Sequence, residues 1–165
     1  YKESDILQIV HLIDTDGAFI PDNLVKARKE KGVQYFEDHI ETGEVKYIQE
    51  RNQKKSSVVA SLCSTGKMKS SIPYSIYYFS RNMEHVLHNV ATELTNDQKV
   101  ELADAFADRY EENPMDFVAF IESEEVAVPG GYTQTWTFIR EGTNSLNRHS
   151  NLRILFEQEN LKSNQ

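Results

Sequence analysis

Apolar residues along this chain fall into two patterns: short continuous runs in the first half, and more widely spaced, helix-period stripes in the second. The run Ile6-Leu7-Gln8-Ile9-Val10-His11-Leu12-Ile13 is almost unbroken and rich in branched residues, which predicts a buried parallel strand. It ends in the turn Asp14-Thr15-Asp16-Gly17. Ser75-Ile76-Tyr77-Tyr78-Phe79 predicts a second strand, because aromatic and branched residues suit a covered, pleated surface. That strand leads directly into the segment from Arg81 to His88, where the apolar period changes from two to nearer four. The two strands are expected to be parallel and to lie in one sheet.

Between them, Pro21 and Asp22 open a predicted helix that runs through Lys31, with Gly32 as its stop. Val33 to Phe36 is predicted as a short strand, and residues 45 to 64 as a helix with Ile48, Val59 and Leu62 on its stripe, ended by Gly66. Downstream, Thr95 and Gln98 form a capping box for a helix from Asn96 to Tyr110, with Val100, Leu102, Ala103 and Phe106 expected inside. Asn113-Pro114 breaks that helix. Phe117, Phe120 and Ile121 suit a short helix, Pro129-Gly130-Gly131 a loop, and Trp136 with Ile139 another amphipathic turn. Leu152, Ile154, Leu155 and Phe156 predict a closing helix with a polar tail. The expected class is α/β: one layered, Rossmann-like domain over residues 1 to 165, with a short parallel sheet in the first half and a helical second half.

Composition narrows what such a domain can do. The 165 residues are 39% hydrophobic, enough for an ordinary core, and no apolar run approaches the roughly 18 residues that cross a bilayer. Cys63 is the single cysteine, so neither an internal disulfide nor a cysteine zinc cluster can form, and a cytoplasmic setting is expected. The net charge of −8 is unevenly spread. Residues 1 to 81 hold 12 Lys and Arg against 11 Asp and Glu, whereas residues 82 to 165 hold 6 against 15. An acidic second half argues against an extended duplex-binding surface, since phosphate neutralisation supplies most of such affinity. Basic residues of the first half cluster at Lys26, Arg28, Lys29 and Lys31, at Lys46, Arg51, Lys54 and Lys55, and at Lys67 and Lys69. Solvated helix faces account for most such clusters.

The chemistry concentrates at the two strand ends. Ligands of open α/β sheets bind beyond the carboxyl ends of the strands, where Asp14 and Asp16 stand. Two carboxylates held close together repel, and Mg²⁺ or Mn²⁺ relieves that repulsion while keeping several waters. If the strands are neighbours, Arg81, Asn82 and Glu84 enter the same crevice, Glu84 as a third metal ligand or a base and Arg81 as a phosphate clamp. The simpler reading of this second segment is a helix start, with Asn82 as cap and Glu84 favouring the dipole. His85 and His88 lack the first histidine of a zinc motif, since position 81 is arginine, and are expected to be packed or surface residues. Ser64-Thr65-Gly66-Lys67 has serine at position 61 and is followed by Met68, so it is not a phosphate loop. Cys63 is expected to be a buried, inert thiol.

The apolar strand ending in Asp14-x-Asp16, with a later strand leading to Asn82-x-Glu84, resembles the second half of a Toprim-type catalytic domain, and in particular the Toprim-like proteins of bacterial defence systems. The resemblance covers roughly residues 6 to 90. It implies that Asp14 and Asp16 hold Mg²⁺ with Glu84 as helper, and that the protein cleaves or transfers phosphodiester bonds. It also implies an upstream strand carrying a glutamate, for which there is no room before Ile6; a chain that opens at Tyr1 fits an upstream segment. The acidic second half favours short or single-stranded nucleic acid, or a small phosphorylated substrate, over long duplex DNA. Leu12-Ile13-Asp14-Thr15-Asp16-Gly17 is also similar to the first motif of haloacid-dehalogenase-like phosphatases, which implies Asp14 as nucleophile, Asp16 as acid/base and Ser80 as phosphate-binding hydroxyl. A third reading is a catalytically silent module that docks onto a protein partner through its acidic helices.

Overall fold

The computed structural model describes residues 2–69, 71–92 and 94–157. In chain order the strands are β1 (Ile9–Asp14), β2 (Val25–Ala27), β3 (Val33–Tyr35), β4 (Ile40–Thr42), β5 (Lys67–Met68) and β6 (Ile72–Phe79). The α-helices are α1 (Val45–Cys63), α2 (Met83–His88), α3 (Asn96–Glu111), α4 (Pro114–Glu122) and α5 (Tyr132–Ile139), and residues 153–157 are also helical. The expected polar tail lies outside the described residues.

The fold is mixed α/β. One sheet has the order β1-β6-β5, with β1 and β6 parallel and β5 antiparallel to β6. As expected from their apolar runs, β1 and β6 are parallel strands of one sheet, and the structure makes them direct neighbours, in a register that sets Asp14 beside Phe79. Side chains alternate across a strand, so β6 serves two clusters. Tyr77 and Phe79 pack with Val86, Ile121, Val126, Leu152 and Ile154 on one face. Tyr74, Ile76 and Tyr78 pack with Val59, Trp136 and Ile139 on the other. Covering both faces removes most of the eight-residue strand from water; a fully buried residue of this size contributes about 1.5–3 kcal/mol. The β1 strand differs from the expectation of burial. It is an edge strand, His11 and Leu12 are exposed, and Ile6 and Leu7 precede it in the open. An edge position leaves one side of the strand uncovered, and the apolar pattern alone cannot tell edge from centre.

A second sheet, ordered β2-β4-β3, replaces the helix expected from Asp22 to Lys31. Asp22–Leu24 is a single 3-10 turn, and β2 then pairs in parallel with β4. The segment from Lys26 to Lys31 has no apolar stripe to hold a helix against the core. Val25 instead buries with Ile20, Ile40, Ile48 and Leu146 in a third cluster. The short strand expected at Val33 forms as β3. The capping box of α3 is present, with Gln98 Oε1 accepting the Thr95 N–H at 2.9 Å and Thr95 Oγ1 accepting the Gln98 N–H at 3.3 Å. The expected burial of its face is corrected: Val100 and Ala103 are exposed, Leu102 and Phe106 are half-buried, and Tyr110 is the buried residue. This helix touches its neighbours along one narrow stripe, Phe106 packing edge-on against His88, Tyr110 and Phe117. No helix among the described residues is long and apolar enough to cross a membrane.

Candidate acidic site at the ends of β1 and β6

The chain leaves β1 and β6 side by side, and three hydrogen bonds join the two exits. Thr15 N–H donates to Phe79 O at 3.0 Å, Asp16 N–H donates to Arg81 O at 2.8 Å, and Arg81 N–H donates to Thr15 Oγ1 at 2.7 Å. Thr15 is fully buried, and its hydroxyl also donates to Ser145 O at 3.3 Å. Two non-glycine residues in this clasp have left-handed backbones, Asp16 (φ 50°) and Arg81 (φ 63°). Such backbones cost on the order of 1–3 kcal/mol each and gather where chains are bent to place functional groups. The clasp makes a prediction. Thr15→Val keeps the shape and removes the acceptor of a buried N–H, so it should destabilise the protein by about 2 kcal/mol in urea unfolding. A loss below about 0.5 kcal/mol would show that the two exits are joined by something else.

The clasp brings the charges of Asp16 and Glu84 within electrostatic reach of Asp14. The Asp14 carboxyl is pushed up from its ordinary 3.8 to about 6, first by burial and then by the charges of Asp16 and Glu84. The Met83 backbone N–H donates to it, and Lys55 lies near enough to oppose the shift, but neither outweighs burial and repulsion. Asp16 forms an ion pair with Lys55, and Glu84 one with Lys99 at 3.3 Å. Glu84 sits in the first turn of α2, as a carboxylate at a helix N-terminus should. Among the described residues no three His, Cys, Asp or Glu side chains are placed as a ready cation cage.

The remaining expected residues are placed differently. Asn82 is the cap of α2, its Oδ1 accepting the His85 N–H at 2.8 Å. Arg81 is buried with its guanidinium over the Tyr35 ring at 5.1 Å, and its Nη2 donates to Ala91 O. It holds Asp16 through its backbone carbonyl, and its side chain is engaged elsewhere than with the carboxylates. His85 is buried and its ring is driven down to about 4 by burial, then by Arg81 and Arg148, so it is neutral at physiological pH. His88 is half-buried and lowered chiefly by burial. Ser80 is fully buried, its Oγ accepting the His149 N–H at 3.2 Å. Cys63 is half-buried and its thiol is raised by burial, in keeping with an inert role.

Two cations that look like a solvated helix face in the sequence belong to the site. Arg51 and Lys55 are one turn apart on α1 and face the loop after β1. Lys55 meets the Asp16 carboxylate, while Arg51 donates to Asp16 O at 2.8 Å and to Tyr35 Oη at 3.1 Å. Their i, i+4 spacing, the same as that of the buried pair Ile48 and Asn52, is the signal that could have marked them. Comparison with known protein families, characterised proteins and solved structures finds no match for this chain.

Proposed function

We propose that this chain is a Mg²⁺- or Mn²⁺-dependent, Toprim-like domain of bacterial-defence type that cleaves phosphodiester bonds in a short or single-stranded nucleic acid. The raised carboxyl of Asp14 carries the reading. Burial and two neighbouring carboxylates make its charge unfavourable, and a hard cation would stabilise all three at once. The donor set fits Mg²⁺, which needs only one or two protein carboxylates because it keeps much of its water. Asp14 and Asp16 would hold the ion, with Glu84 as the third carboxylate or as the base that takes the proton of the attacking water. When bound, the ion offsets charge on the attacked phosphate and lowers the pKa of a bound water. Lys55 takes the phosphate-steadying part expected of Arg81 or the nearby lysines, since its ammonium already faces Asp16. On this reading the sheet and its covering helices are a layered, Rossmann-like arrangement.

The phosphatase alternative needs Ser80 to offer its hydroxyl to a phosphate, and that hydroxyl is buried against His149. A silent docking module would leave the repulsion among the carboxylates without a purpose.

The test is Mn²⁺ titration by calorimetry together with turnover of labelled single-stranded DNA, RNA and a small phosphate ester. Because the proton on Asp14 competes with the metal, affinity should be full above pH 7 and fall as the pH drops through about 6. Turnover of the ester alone would replace this reading with the phosphatase, and saturating metal without turnover of any substrate would leave the docking module.

A further inference from the structure

A cleft of about 480 Å³ opens beside the acidic site, within the range of small-ligand pockets. One wall is the loop directly after Gly17, and the other is α1 on either side of Lys55. The lining has the elements of base recognition. Phe19 provides a half-buried ring, and the exposed Arg140 guanidinium stands 5.9 Å from its centre and 5.6 Å from that of Trp136. Nucleobases stack on such rings and on guanidinium planes. Asn52 is 2% exposed; its Oδ1 accepts from Arg51, and its Nδ2 has no partner. A buried amide donor left open costs about 1–3 kcal/mol, which a ligand acceptor would recover. On the loop side, the exposed Asp22 is tied to the exposed Gln53 of α1, Gln53 Nε2 donating to Asp22 Oδ2 at 2.8 Å. That bond leaves acceptor positions on both side chains.

We propose that this cleft binds the base of a nucleotide, with guanine preferred, and directs its phosphate toward Lys55 and the carboxylates. The inference rests on the reading of the acidic site as a phosphodiester-cleaving centre, and it supplies that centre with a substrate contact. An amide donor opposite a carboxylate is complementary to the guanine edge, where one carbonyl acceptor stands beside two N–H donors. Phe19 and Arg140 supply stacking that any base can use, so discrimination comes from Asn52 and Asp22.

Titration in EDTA separates the cleft from the metal. Trp136, the chain's single tryptophan, lies beside Arg140, and its fluorescence reports on occupancy. GMP is expected to saturate the signal more tightly than AMP, CMP or UMP, and ribose 5-phosphate to bind more weakly than all four. Ala60→Leu adds bulk to an exposed lining position, and Asp22→Ala removes the rim carboxylate; both lie at the surface, and circular dichroism melts verify folding. Each should weaken GMP by about ten-fold or more, the loss of one good base contact. No saturation by any nucleotide, equal binding of ribose 5-phosphate, tighter binding of another base, or unchanged GMP affinity in the folded Ala60→Leu protein would each overturn the proposal. Metal binding and turnover without GMP saturation would remove the base cleft alone, and GMP saturation without metal binding would remove the metal reading alone.

Discussion

Asp14→Asn should give a protein that is more stable than the wild type and, on the proposed function, strongly impaired in phosphodiester cleavage. The two effects have one origin. A carboxyl raised from 3.8 to about 6 holds its proton more tightly in the folded than in the unfolded chain. Stability therefore falls as the pH rises between those values, and above them the charged Asp14 carries a fixed penalty. Two pKa units correspond to about 3 kcal/mol, and discounting for the partial exposure of Asp14 leaves about 1–2 kcal/mol. Asparagine removes the charge and keeps an oxygen for the Met83 N–H. The variant should unfold at higher urea at pH 7.5 and match the wild type near pH 3, where Asp14 is neutral in the folded and the unfolded chain. Activity should fall by about 100- to 1,000-fold, the scale of losing one group that stabilises transition-state charge. An Asn variant less stable than wild type at pH 7.5 would show that the three carboxylates do not repel as described.

Gly17→Val should be the most damaging single change near the site. Gly17 has φ +64°, and a Cβ there would lie 2.5 Å from Leu146 Cδ2 and 3.2 Å from Ile40 Cδ1. Both neighbours are fully buried, so neither can yield cheaply. The left-handed backbone costs about 1–2 kcal/mol for an ordinary residue. Overpacking a filled core adds about 1–3 kcal/mol. The expected loss is about 2–5 kcal/mol in urea unfolding, accompanied on the proposed function by weaker Mn²⁺ binding, because the turn that moves carries Asp16. Gly142→Ala is the control. It shares a left-handed backbone (φ +54°) but meets nothing within 4 Å, so it should cost only the backbone term. Equal losses in the two variants would mean that packing against Leu146 plays no part.

Much of the site was legible because it is local in sequence. An apolar run ending in Asp14-Thr15-Asp16-Gly17 specifies a strand, a turn and two acids at its exit. The run ending at Phe79 specifies a second strand that leads to Glu84. Which residues of the second segment would serve was not legible. Asn82 and Arg81 are adjacent, and the left-handed backbone at Arg81 sends its side chain under Tyr35 while Asn82 turns to cap α2. One φ angle, selected by the hydrogen bond to Thr15, separates a phosphate clamp from a buried cation.

The sequence by itself determined the mixed α/β class, the existence of the strands β1 and β6, the span of α1 and the cap of α3, because each follows from periodicity or from contacts within a few residues. The tertiary structure decided the rest. The segment from Val25 to Ala27 became a strand because Ile40 to Thr42 offered it a partner, and three-residue strands carry too little pattern to announce themselves. Lys55 became part of the acidic site because α1 lies across the exit of β1. Asp14 acquired its raised pKa first from its burial in the fold and then from the like charges of Asp16 and Glu84, held beside it by hydrogen bonds between two loops, 66 positions apart at Thr15 and Arg81. Local propensity sets what each segment can be; long-range burial and hydrogen bonding select which of those options is kept, and only they bring distant charges within reach of one another.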